Sequence, residues 1–156
     1  VCSSDLANNQ RFKIIEADGA VYLRNKTDLC DVILLDGYNG DGLPDVLSTE
    51  TFYQDCYRAL RPQGILVVNL WRKDAQFRRN LARIHTCFDK KTVTIKCQSG
   101  NEIVLAFKQP MLPEFDEVWK KALLFQQQTR LNLPQFLEDM VFSLRNNWFY
   151  SGRAEN

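Results

Sequence analysis

An apolar run that ends in an acid, followed by a glycine-rich loop, a helix and a second apolar run, constrains this chain more than any other feature. It lies between Asp31 and Leu70, in the segment DVILLDGYNGDGLPDVLSTETFYQDCYRALRPQGILVVNL. Val32-Ile33-Leu34-Leu35 has the length of a strand and no polar position, the pattern of a parallel strand covered on both faces by helices. Asp36 follows at once, so its carboxylate is expected at the carboxyl end of that strand, where open α/β sheets place their ligands. Gly37, Gly40, Gly42 and Pro44, with Asn39 and Asp41 between them, cannot continue a helix or a strand and mark a candidate active-site loop. Ser48 or Thr49 then caps a helix with Glu50 in its first turn and Phe52, Cys56 and Leu60 on one face, flanked by Tyr53, Tyr57 and Ala59. Arg61-Pro62-Gln63-Gly64 stops the helix, and Ile65 to Leu70 forms the second buried strand.

The 156 residues suit one domain, with 45% hydrophobic and 25% charged residues able to build a core, which sets aside disordered and fibrous classes. The formal charge of +1, with acids and bases interspersed, gives no field for nucleic acid or an anionic membrane. No apolar run has the length of a membrane span and no signal sequence opens the chain, so a cytoplasmic protein is expected. The five cysteines are odd in number and none forms a C-x-x-C pair, which argues for reduced core thiols over a disulfide framework or a zinc site; no metal is expected. The single histidine, His85, falls in an expected helix with no G-x-S-x-G elsewhere, and is read as structural. The glycine cluster after Asp36 is not a phosphate loop, because no Lys-Ser/Thr follows and the helix starts residues later.

The chain opens at Val1 rather than methionine and reaches its first expected strand, Phe12 to Ala17, without a lead-in, so it reads as a fragment truncated at the amino end; Val1 to Leu6 are set aside as adapter-like sequence. Asp18-Gly19 follows that strand, before a helical turn through Ala20 to Leu23, and repeats the placement expected of Asp36. Phe77, Leu81, Ile84 and Phe88 give a further helix, with Arg78, Arg79 and Arg83 on its solvated side. Lys91 to Cys97 and Glu102 to Lys108 are the arms of a hairpin. Two helices, Glu114 to Arg130 and Pro134 to Asn146, complete the chain; they cover the sheet or, through Trp119, Phe125, Trp148 and Phe149, a homodimer partner. The organisation is thus residues 7–109 as one α/β portion and 110–156 as a helical extension.

The order of elements, with L-R-P-Q-G-I-L-V-V-N at 60–69, resembles the L-x-P-G-G-x-L segment of Rossmann-like methyltransferase sheets. Within that superfamily, Glu16-Ala17-Asp18-Gly19 resembles the G-D-G/A segment of spermidine synthases, the polyamine aminopropyltransferases. Asp36 and the loop to Thr49-Glu50-x-Phe52-Tyr53 resembles their D-S-S-D-P…T-E-E-F-Y. The matches cover roughly residues 11–108, the carboxy-terminal portion of such a domain. The resemblance implies an α/β, Rossmann-like three-layer sandwich, with a mostly parallel sheet, a terminal antiparallel hairpin and two carboxy-terminal helices.

It also implies a transferase that moves an aminopropyl group from decarboxylated S-adenosylmethionine, a co-substrate rather than a tightly bound cofactor, to a polyamine such as putrescine. Asp18, with Gly19, would then bind the nucleotide, Asp18 accepting from the adenine amino group. Asp36 would be the catalytic base or electrostatic anchor for the attacking amine, since an amine must lose its proton before its lone pair can attack carbon. Tyr38, Asn39 and Asp41 would bind the acceptor, Tyr38 as an aromatic wall and Asp41 as a further carboxylate for a cation. Where the family has D-S-S-D, this chain has Asp36-Gly37-Tyr38-Asn39, so an amide replaces the second acid. The alternatives are an S-adenosylmethionine-dependent methyltransferase of the same fold, or a non-catalytic family member that acts as a subunit or binder.

Overall fold

A computed structural model describes residues 12–39, 42–97, 99–109 and 115–150, with side chains in the last stretch as far as 142. Asp41 and Gly40 therefore lie outside the described residues, as do Val1 to Arg11 and the side chains of Trp148 and Phe149. The elements are α1 (Gly19–Leu23), β1 (Cys30–Leu35), a single 3-10 turn (Asp45–Leu47), α2 (Glu50–Ala59), β2 (Leu60–Trp71), α3 (Phe77–Cys87), β3 (Thr92–Lys96), β4 (Asn101–Phe107), α4 (Phe115–Thr129) and α5 (Leu133–Tyr150).

The four strands form one sheet in the order β1-β2-β4-β3. β1 and β2 run parallel, joined by the α2 crossover, while β2–β4 and β3–β4 are antiparallel. The described sheet is thus mixed, with its parallel pair at one edge and the expected hairpin at the other. Helix and strand meet without a linker: Leu60 is both the end of α2 and the partner of Cys30, and Arg61 to Gly64 bulge out before Val32 pairs with Ile65. The turn expected to precede the strand lies inside it, because Leu60 finds a ladder partner before the chain turns. Gly64 suits the bulge: a Cβ there would stand 2.9 Å from both the Arg61 carbonyl oxygen and the Leu60 Cβ.

The register assigns the strand side chains to two faces. Ile33, Leu35, Leu66, Val68, Leu70, Val104 and Ala106 share the face that packs against α1, α2 and α3, where Phe52, Tyr53, Cys56, Ala59, Ile84 and Phe88 close the core. On the other face α5 packs against β3, making the third layer, and Val93 and Ile95 there are only 2% and 6% exposed. That cover thins toward β1, where Val32 is 51% and Leu34 76% exposed. The apolar run of β1 predicts burial on both faces; in the structure one face is bare because no described helix reaches that edge of the sheet.

Phe12 to Ala17, expected as a strand, carry no strand assignment among the described residues, and Phe12 and Ile15 are exposed. The four described cysteines are free thiols, and burial pushes the Cys56 thiol up to about 12. His85 lies on α3 with its Nε2 buried and unpaired among the described residues; burial, with Lys90 nearby, holds the ring below its ordinary pKa and favours the neutral form. No described helix is long and apolar enough to cross a membrane.

Candidate active site at the carboxyl ends of β1 and β2

Leu35, the last residue of β1, pairs with Val68, so Asp36 emerges beside Asn69, while β2 runs on to Trp71. Asn69 Nδ2 donates to Asp36 Oδ1 at 3.0 Å, an orientation dictated by a carboxylate that only accepts. Asn69 Oδ1 is buried and without a partner among the described residues. The pair thus presents an exposed carboxylate, suited to a donor such as an ammonium or amine, with a buried amide oxygen behind it. Asn69 is the site residue that sequence reasoning missed. Its signal was a polar residue directly after the apolar run Ile65 to Val68, as Asp36 follows Val32 to Leu35.

The loop after Asp36 folds back over this end of the sheet. Asn39 and Gly42 exchange backbone hydrogen bonds, Asn39 N–H to Gly42 O at 3.0 Å and Gly42 N–H to Asn39 O at 3.4 Å. Gly42 holds a φ of +123°, a conformation that side chains rarely adopt. Gly37 is packed from the other side: a Cβ there would sit 2.8 Å from Leu47 Cδ1. Tyr38 turns inward, and its hydroxyl accepts the Trp71 N–H at 2.9 Å, so the phenol is tied to the end of β2. Burial, together with the charges of Asp74 and Asp36, pushes the phenol above its ordinary pKa and keeps it neutral.

The loop ends on α2, where Thr49 Oγ1 accepts the Phe52 N–H at 3.0 Å; of the two expected caps, Thr49 is the one used. Ser48 is buried instead, and its backbone carbonyl accepts from Arg83 Nη1 at 2.6 Å. One of the three arginines expected on a solvated face of α3 is therefore an anchor for the loop. Leu43, Pro44, Asp45 and Gln76 together with Asn39 and Gly42 line an open hollow of about 270 Å³ between the loop and the start of α3.

Asp18 stands in a different setting. It is the N-cap of α1, and its Oδ1 accepts from Ala20 N–H at 2.8 Å and Val21 N–H at 3.1 Å. The other oxygen, Oδ2, takes no part in that cap. Gly19 opens α1, and a Cβ there would meet Leu47 at 3.5 Å, an ordinary contact, so its lack of a side chain is not demanded by packing. Leu47 thus lies against both Gly19 and Gly37, which brings the start of α1 and the end of β1 together.

No family model matches the chain. A polyamine aminopropyltransferase from Chromobacterium violaceum is 37% identical over 113 residues, 71% of this chain and 43% of that protein. One from Neisseria meningitidis serogroup B is 34% identical over 140 residues, 88% of this chain and 53% of that protein. The chain therefore spans about half the length of the curated relatives it matches. A crystal structure of spermidine synthase in complex with the transition state analogue AdoDATO superposes on it with a TM-score of 0.54 at 28% identity, over 69% of this chain and 39% of that one. The mixed sheet with helices on both faces is the Rossmann-like α/β fold of that neighbour. By sequence and by fold, over about half of its relatives' length, the chain is similar to the carboxy-terminal portion of the polyamine aminopropyltransferases.

Proposed function

We propose that this chain supplies the amine-activating side of a spermidine-synthase-like transferase, which moves an aminopropyl group from decarboxylated S-adenosylmethionine to a polyamine acceptor such as putrescine. The observation that carries this reading is the Asp36–Asn69 pair: a carboxylate at the carboxyl end of a parallel strand, held by its neighbour's amide. Asp36 attracts the cationic diamine and accepts a proton from the attacking nitrogen, directly or through water. The freed lone pair then attacks the aminopropyl carbon bonded to the sulfonium, the carbon–sulfur bond breaks, and its electrons stay on sulfur as methylthioadenosine leaves. Asn69 holds the Asp36 carboxylate in place through its Nδ2 donation.

In this reading Tyr38 and Asn39 form the wall of the acceptor site, Asp41 adds a second carboxylate, and Asp18, with Gly19, binds the nucleoside through Oδ2. The spermidine synthase neighbour holds a transition state analogue, AdoDATO, which supports a co-substrate bound transiently over a resident cofactor. The test is a chimaera in which this chain replaces the matching half of the Neisseria meningitidis relative. It should transfer the aminopropyl group to putrescine, and Asp36→Asn should abolish that transfer while the melting temperature is unchanged. Equal turnover by the two chimaeras would refute the role of Asp36.

A further inference from the structure

We propose that Asp74 is a positioning residue, a carboxylate latch that fastens the loop after Asp36 to the start of α3 and so holds Tyr38 and Asn39 beside the site. The two carboxylate oxygens take different segments of the chain. Oδ1 accepts the Gln76 N–H at 2.7 Å, within its own turn, and Oδ2 accepts the Leu43 N–H at 3.4 Å, across thirty-one positions of sequence. Gly42 lies against the same carboxylate: a Cβ there would stand 3.5 Å from Oδ2, which with its φ of +123° favours glycine at the point of closest approach. The Asp74 charge also acts on the Tyr38 phenol, whose hydroxyl accepts the Trp71 N–H at 2.9 Å. A second tie runs parallel, Gln76 Nε2 to Asp45 Oδ1 at 2.9 Å. A backbone N–H from the loop and one from the turn that opens α3 therefore converge on one carboxylate, each on its own oxygen, and no neutral side chain of that size offers as many acceptor sites.

The meaning of the latch for catalysis rests on the transferase reading above, but its test does not. Amide hydrogen exchange and ultraviolet titration of tyrosine are measured in this chain and in Asp74→Asn and Asp74→Ala, with 1,4-diaminobutane binding followed in parallel by calorimetry. Loss of the latch should raise exchange at Leu43 by about tenfold, the factor expected for a lost hydrogen bond to a charged group, while the β2–β4 ladder amides keep their protection and certify the fold. If Asp74→Ala unfolds, Asp74→Asn, of equal size, carries the measurement. Asp74→Asn should also bring Tyr38 ionisation to lower pH, because a neighbouring negative charge is gone; Tyr38→Phe identifies that phenol among the five tyrosines. A general loss of stability would not produce that shift. Unchanged exchange at Leu43 and an unmoved Tyr38 titration would overturn the latch even if the diamine binds. Failure of the diamine to bind, with both readouts moved as expected, would leave the latch standing and count against the transferase reading.

Discussion

Asp36 is held from across the sheet, by the Asn69 amide on the neighbouring strand, whereas Asp18 is held by its own helix, with the Ala20 and Val21 amides on a single oxygen. The first arrangement ties the carboxylate to the packed sheet yet leaves it exposed beside an unpaired amide oxygen. The second spends half of the carboxylate on a local task, the satisfaction of backbone N–H groups that a helix start leaves unpaired. Two acids that both follow apolar segments can therefore differ in kind. One is available for chemistry because the fold has already fixed its position. The other contributes to local stability first, and any ligand must use what the cap leaves over.

That difference can be broken by substitution. The largest effect belongs to Asp36→Asn, which removes the base but keeps a hydrogen-bonding side chain. Transfer by the chimaera should fall by about 10²–10⁴-fold, the usual contribution of a positioned acid–base group, with no change in melting temperature. A loss of less than about tenfold would deny Asp36 that role. Asn69→Ala is expected next, since it removes the donor to Asp36; transfer should fall by about tenfold, equivalent to about 1.4 kcal/mol. An Asn69→Ala chimaera with wild-type turnover would show that Asp36 holds its position unaided.

Asp18→Ala should cost about 1 kcal/mol of stability through loss of the cap, read as a drop in the denaturation midpoint, and should also weaken binding of methylthioadenosine. Asp18→Asn separates those two effects. Asparagine caps a helix as well as aspartate does, so stability should stay at the wild-type value, while the change of an acceptor oxygen to an amide weakens the nucleoside. If Asp18→Asn binds methylthioadenosine as well as the wild type does, Asp18 is a cap alone.

The crossover from β1 to β2 was legible because each of its parts has a local cause. Four consecutive apolar residues make β1, Thr49 supplies a side-chain acceptor for the first turn of α2, and the 3.6-residue period of Phe52, Cys56 and Ala59 points one helix face inward. The hairpin from Thr92 to Phe107 was equally plain, since strand alternation and the turn expected from Gln98-Ser99-Gly100-Asn101 are both local. The strand expected at Phe12 to Ala17 has no strand assignment among the described residues, because strand pairing depends on more than the local apolar pattern. The same holds for Arg83: its position on α3 gave a solvated arginine, and only the packing of α3 against the loop gave it the Ser48 carbonyl.

The sequence by itself determined which segments of the crossover and the hairpin are helix and strand, where the helix of the crossover starts, and that Asp36 stands at the end of an apolar strand, because propensity, capping and periodicity act within a few residues. Only the tertiary structure decided that Asn69 faces Asp36, that Asp74 gathers Leu43 and Gln76, and that Val32 and Leu34 lie on a bare face. Each of those depends on strand register or on the packing of distant segments, and such contacts are fixed by the fold as a whole, beyond the reach of any local pattern.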